Sequence, residues 1–161
     1  RLAIHFSIAH PARTRALLLD GAPALEAESD LPLARYRDLL ETQGPAALRS
    51  QILRHPLMQL HTANPAAHRL LTSTLDRYGG SDLLHPASRR QKPDMGGIIA
   101  PTLILNGSQD SSERRQAGRV LQAAIHGAQH VELAHAGHLA LLDDPQAYAR
   151  AVASFCLALP P

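Results

Sequence analysis

Three polar residues stand where a short apolar run gives way to a loop. Asp20 ends Ala16-Leu17-Leu18-Leu19, Asp110 closes Gly107-Ser108-Gln109-Asp110, and His138 closes Ala134-His135-Ala136-Gly137-His138. An aspartate and a histidine on neighbouring loops can pair. The carboxylate accepts a hydrogen bond from one ring nitrogen, fixing the tautomer and stabilising the imidazolium. The other nitrogen is then free to take a proton from a nucleophile. Asp110 and His138, 28 residues apart, are the candidate pair, and Asp20 is a competing position for the acid. The serines offer no good nucleophile. Ser7 lies in His5-Phe6-Ser7-Ile8-Ala9, within a predicted helix and between bulky flanks, and Ser108 shares the Asp110 loop. Ser111 and Ser112 fit the cap of a helix starting at residue 112.

The elements that must carry these loops follow from periodicity and punctuation. Residues 1–10 are apolar on most sides and stop at Pro11, a pattern in which periodicity alone does not separate a buried helix from a strand. The run 16–20, ended by Gly21 and Pro23, reads as a strand covered on both faces, as do Thr102–Leu105 before Asn106-Gly107. Residues 112–126 form an amphipathic helix with Ala117, Val120, Leu121, Ala124 and Ile125 as its apolar stripe and Gly127 as its stop. Gln129–Leu133 alternates as a third strand. Asp144-Pro145 caps a last helix striped by Tyr148, Val152, Phe155 and Leu159. Between residues 25 and 96 the pattern is helical. Leu33, Tyr36, Leu39 and Leu40 form one face ending at Gly44, and Pro45 starts a second helix with Leu48 and Ile52. Asn64-Pro65 starts a third, with His68, Leu71, Leu75 and Tyr78, and residues 80–97 read as a loop. Strand–helix alternation around a helical insertion argues a parallel α/β sheet. Its ligands belong beyond the carboxyl ends of the strands.

Composition narrows the function classes. The chain has 161 residues, a formal charge of +2 and one cysteine. That length buries a real core, and Cys156 alone supports neither a disulfide framework nor an all-cysteine zinc site. The charges are spread along the chain without a basic patch, which argues against nucleic acid. No apolar run approaches a membrane span, and no signal peptide is visible, so a cytoplasmic location is expected. His130, His135 and His138 lack a third ligand at zinc-motif spacing, so neither a metal nor another cofactor is expected. His5, His10 and His126 read as helix-surface or helix-end residues; Met58, His68 and Tyr78 as helix packing; Cys156 as a small packed hydrophobe. Abundant Ala and Arg fit the coding bias of a GC-rich bacterial gene.

With these segments in order, the chain resembles the C-terminal part of the α/β-hydrolase fold family. Residues 101–110 (PTLILNGSQD) resemble the seventh strand and its acid loop, and Ala136-Gly137-His138-Leu139 resembles the histidine loop after the eighth. Ala9-His10-Pro11 and Arg15 to Asp20 resemble the end of the post-nucleophile helix and the sixth strand. The resemblance implies a parallel sheet whose last three strands are present, in core segments 1–24 and 97–161, with residues 25–96 as a helical cap. It implies a Ser-Asp-His mechanism with Asp110 as acid and His138 as base, acting on an ester, lactone or related acyl bond of a small molecule. Carbon–carbon bond hydrolysis, epoxide hydrolysis, dehalogenation and haloperoxidation occur on the same scaffold, and a non-catalytic binding protein of this fold is the alternative. The family's G-x-S-x-G elbow is absent from the sequence. Residues 1–10 resemble the helix that the elbow launches, so the expected nucleophile lies just before Arg1, in an N-terminal half needed to complete the sheet. The 161 residues alone are expected to be inactive, and the strand at 16–20 to have a bare, aggregation-prone edge.

Overall fold

The computed structural model describes residues 1–22, 31–85 and 93–160. Pro23, the expected start of the cap at residue 25 and the middle of the expected 80–97 loop lie outside the described residues. Three short strands form one parallel sheet: β1 (Leu17–Asp20), β2 (Thr102–Gly107) and β3 (Gln129–Leu133), in the order β1-β2-β3. Leu17 lies opposite Thr102 and Asp20 opposite Leu105; Leu103 lies opposite Gln129 and Gly107 opposite Leu133. This register brings the carboxyl ends of all three strands to one edge, where Asp20 and the loops carrying Asp110 and His138 begin.

The strand side chains alternate between two helical layers, as a period of two requires. Leu17, Leu19 and Ile104 face α1 (Leu2–Ala9) and α5 (Ser112–Ala124), packing with Ile4, Leu121 and Ile125. Leu103, Leu105 and Val131 face α7 (Pro145–Leu157), packing with Phe155, Tyr148 and Val152. At β2 both faces are covered, so the apolar run Leu103-Ile104-Leu105 and all six residues are buried. β1 is not covered on both faces as expected: Leu17 and Leu19 are buried and Leu18 is 37% exposed. Helix caps fall where the side chains supply them. The Ser111 hydroxyl accepts from the Arg114 amide at 3.2 Å, and the Asp144 carboxylate from the Ala147 amide at 2.8 Å.

Several expectations change. On α5 the buried face runs through Arg114, Ala117, Gly118 and Leu121 to Ile125, while Val120 is 55% exposed and Ala124 also faces solvent. The helix crosses the sheet on a narrow stripe, and a residue one position off it rotates outward. On α7, Cys156 lies beside the buried Phe155 but is exposed rather than packed. Between β3 and α7 a further single turn, α6 (Ala140–Asp143), follows the histidine loop.

The helical segment begins with α2 (Leu33–Leu53), broken at Gly44 (φ 79°, ψ −179°) before Pro45 into the two pieces that the sequence predicts. It continues with α3 (Pro65–Leu75) and a short α4 (Ser81–Leu84) within the stretch read as a loop. Tyr36, Leu48 and Leu83 form its small core, flanked by Leu40, Ile52 and Tyr78. Asn64 caps α3, accepting from the Ala66 amide at 3.0 Å. Leu33 and His68 depart from the reading as packing residues. Both are exposed, and the His68 ring instead bonds the Thr62 carbonyl at 2.8 Å.

Candidate active site at the carboxyl edge of the sheet

Asp110 sits where β2 turns into α5. Its backbone amide bonds the Gly107 carbonyl at 3.1 Å, and its Oδ1 accepts from the Ser111 amide at 2.8 Å. Those local bonds fix the carboxylate so that Oδ2 points across to the histidine loop. There it lies 3.1 Å from His138 Nδ1. The Asp110 side chain is fully buried and that of His138 is 18% exposed. A buried carboxylate left without partners costs about 1–3 kcal/mol or more, so both acceptor bonds are needed to hold it there. Because an ionised carboxylate only accepts, the shared proton belongs to Nδ1, which leaves Nε2 as the lone-pair nitrogen of the neutral ring. Among the described residues no protein group hydrogen-bonds to Nε2.

The histidine loop is held from several sides. The Ser108 amide donates to the Leu133 carbonyl and the Gln109 amide to the Ala136 carbonyl, each at 2.9 Å. The Ser108 hydroxyl accepts from the His135 amide at 3.1 Å, where His135 takes the left-handed conformation (φ 62°). The serine therefore serves the loop turn. Ser7 is buried within α1, and its hydroxyl has no partner among the described residues, His138 included. The floor beneath the imidazole is the backbone of Gly21 (φ 51°). A Cβ there would lie 2.6 Å from His138 Cε1, so only glycine permits both the turn and the approach. Arg114, buried on the first turn of α5, donates to the Gly21 carbonyl at 2.6 Å and so ties that floor to the acid loop.

Asp20 comes near the pair without joining it. Its carboxylate influences His138 and Asp110 only through space, and no hydrogen bond links it to the ring. Although Asp20 retains exposed surface, the protein packed around its carboxyl desolvates it and raises its pKa above the ordinary carboxylate value. The neighbouring Tyr148 hydroxyl and His138 oppose that rise, and Asp110 adds to it. The phenol of Tyr148 is in turn pushed up, by burial first and by Asp20 second. Of the two carboxylates that the sequence offers, the geometry therefore pairs Asp110 with the histidine.

Elsewhere, the His130 ring nitrogen Nε2 meets Asn106 Oδ1 at 3.0 Å, away from His138. Among the described residues no group of three or more His, Cys, Asp or Glu could hold a metal ion. A cavity of about 660 Å³ opens against α1 and the start of β1, lined by Leu2, Phe6, Arg13, Leu17 and Leu159. It lies at the opposite strand end from His138 and brings no pair of reactive groups together. No described helix is long and apolar enough to cross a membrane.

Sequence reasoning missed four contributors: Gly21 beneath the ring, Arg114 behind it, Tyr148 beside Asp20, and Asp143 after the loop. Only Asp143 left a signal. Asp143-Asp144 places two acids before Pro145, where a single cap is required.

No protein-family model matches the sequence, and no curated protein matches it. Solved structures do match. MenH from S. aureus superposes with a TM-score of 0.80 at 16% identity over 98% of this chain and 64% of its own. A thermophilic esterase from Thermogutta terrifontis gives 0.75 at 18% identity over 98% and 61%. The enol-lactonase from Burkholderia xenovorans gives 0.71 at 22% identity over 96% and 61%. The chain thus spans less than two thirds of the length of each. Three parallel strands in this order, with α1 and α5 on one face and α7 on the other, make the chain the C-terminal part of an α/β-hydrolase fold.

Proposed function

We propose that the chain supplies the acid, the base and a helical cap of a hydrolase that cleaves an ester, lactone or related acyl bond. The observation that carries this reading is the 3.1 Å bond from His138 Nδ1 to the buried Asp110 carboxylate, with Nε2 left open. In the proposed reaction Nε2 removes the proton of a serine hydroxyl as that oxygen attacks the acyl carbon. The same nitrogen then returns the proton to the leaving oxygen, and water repeats the sequence on the acyl-enzyme. Asp110 keeps the ring in the required tautomer and offsets the imidazolium charge. The serine and the amides that stabilise the oxyanion belong to a segment before residue 1, a proposal supported by the 61–64% of each neighbour that the chain spans. Residues 25–96 form the cap over the substrate. The esterase and the enol-lactonase among the neighbours favour an oxygen ester substrate over the fold's other chemistries.

The coding sequence upstream of Arg1 is expected to specify a strand followed by G-x-S-x-G; an upstream stretch lacking a nucleophile sinks the proposal. In the protein carrying that segment, His138→Ala and Asp110→Asn should each lower kcat on a small activated ester by at least about a thousandfold. Turnover retained in His138→Ala overturns the base assignment.

A further inference from the structure

Asp143 makes two contacts that cap no helix. Its Oδ2 accepts from the Gly137 amide at 2.7 Å, one residue before His138. Its Oδ1 accepts from the His61 amide at 2.6 Å, 82 residues away in the connection between the 3₁₀ turn at Pro56–Met58 and α3. The cap of α7 comes from Asp144, so helix initiation does not explain the position of Asp143. The two contacted elements are also pressed together directly. A Cβ on Gly137 would lie 2.3 Å from His61 Cδ2, 2.6 Å from its Nε2 and 3.3 Å from Asp143 Oδ2. Only a residue without a side chain fits between that imidazole and that carboxylate.

An ionised carboxylate is suited to this place. It is acceptor-only, has two oxygens, and makes hydrogen bonds to amides stronger than a neutral acceptor would. Single-turn α6 sets the separation, since it runs from Ala140 to Asp143 and folds the side chain back over Gly137. Displacing Asp143 would release Gly137 from one side and the helical segment from the other. Because His138 follows Gly137 directly, its ring direction depends on that anchor.

We propose that Asp143 is a positioning residue that latches the helical segment to the histidine loop and thereby holds His138 in its orientation toward Asp110. It touches no reacting atom and acts through the Gly137 amide. The inference rests on the proposed role of His138 as base.

The test is amide hydrogen exchange together with steady-state kinetics on the intact protein bearing the nucleophile segment. In Asp143→Ala the amides of Gly137 and His61 should both exchange at least about tenfold faster, while the Ile104 amide inside β2 keeps its protection. Asp143→Asn, close in shape but with one acceptor oxygen, is the second variant should the alanine form fold poorly. The amide that the new NH₂ faces should lose protection, while the one that keeps the carbonyl oxygen retains most of it. In both variants kcat for a small activated ester should fall by about ten- to a hundredfold, and the limb of the kcat/KM pH profile set by His138 should shift. A response at one amide alone in Asp143→Ala, or at neither amide in Asp143→Asn, overturns the latch. Faster exchange at both with kcat and pH profile unchanged overturns the positioning role. Hydrolysis surviving in His138→Ala overturns the base assignment and the positioning role with it, leaving the latch to stand or fall on exchange alone.

Discussion

The sheet and the helical segment solve the burial problem differently. β2 is covered on both faces and both edges, so every residue from Thr102 to Gly107 is buried, and the polar ones are bonded in place. Between residues 33 and 84 the buried apolar side chains are few: Tyr36, Leu48, Leu57, Ala67 and Leu83. Leu33, Leu70 and Leu84 remain exposed there. The sheet therefore offers the fixed frame that a pair such as Asp110 and His138 requires. The helical segment has the thin packing from which moving parts are drawn. Among the described residues, Asp143 and the His61 ring join the helical segment to the histidine loop.

The comparison can be broken most forcefully by cutting equivalent volumes from each core. Ile104→Ala empties a fully buried site shared by α1, β1 and α5, and should cost about 3–4 kcal/mol in one cooperative transition. Leu48 is equally inaccessible, but its neighbours belong to the small cluster around Tyr36 and Leu83. Leu48→Ala should accelerate amide exchange within 33–84 while leaving β2 protected. If the two variants unfold with the same global loss and the same exchange pattern, the helical segment is no more labile than the sheet.

A smaller effect sharpens the contrast within the site itself, between Asp110, paired with the histidine, and Asp20, which meets Tyr148 instead. Burial holds the Asp20 carboxyl above its ordinary pKa in the folded chain, so the folded state binds its proton more tightly than the unfolded one. Stability then falls as pH rises through the unfolded carboxylate pKa, near 3.9, to the raised folded value, and the penalty persists at neutral pH. Asp20→Asn removes the charge and should raise the melting temperature at pH 7. The gain should be small, because the carboxylate also meets solvent. It should fade as pH falls well below about 3.9, until Asp20 is protonated in both states. A gain independent of pH would refute desolvation as its cause.

What the sequence discloses and what it hides divide along the same physical line. Caps, strand ends and loop glycines are local, so Asn64, Ser111, Asp144 and the loops carrying Asp110 and His138 are legible from a few residues around each. The buried stripe of α5 is not. Val120 fits the period better than Arg114, yet Arg114 is buried because its guanidinium reaches the Gly21 carbonyl, 93 residues away. The same holds for Asp143 and His61, and for Cys156, whose exposure depends on which side of α7 meets the sheet. Periodicity states that a helix has an inside; the crossing of helix over sheet decides which residues occupy it.

The least of the expected effects probes the outer edge of that frame. His130 on β3 donates from Nε2 to Asn106 Oδ1 at 3.0 Å, and Asn106 Nδ2 donates to the Arg114 carbonyl at 3.3 Å. This chain joins β3, β2 and the first turn of α5. Burial lowers the pKa of His130 below the ordinary imidazole value; Glu132 pulls against that change and Arg119 adds to it. The folded state thus binds the proton less readily than the unfolded one. Its contribution to stability is complete above the unfolded imidazole pKa, about 6.5, and is lost as pH falls from there through the lowered folded value. A glutamine can donate to the same oxygen without titrating, so the difference in melting temperature between the native chain and His130→Gln should change between pH 7.5 and 5.5. The native chain should lose more on acidification. An equal loss in both would mean that the proton on His130 does not weigh on the edge of the sheet, and that the frame around Asp110 is indifferent to it.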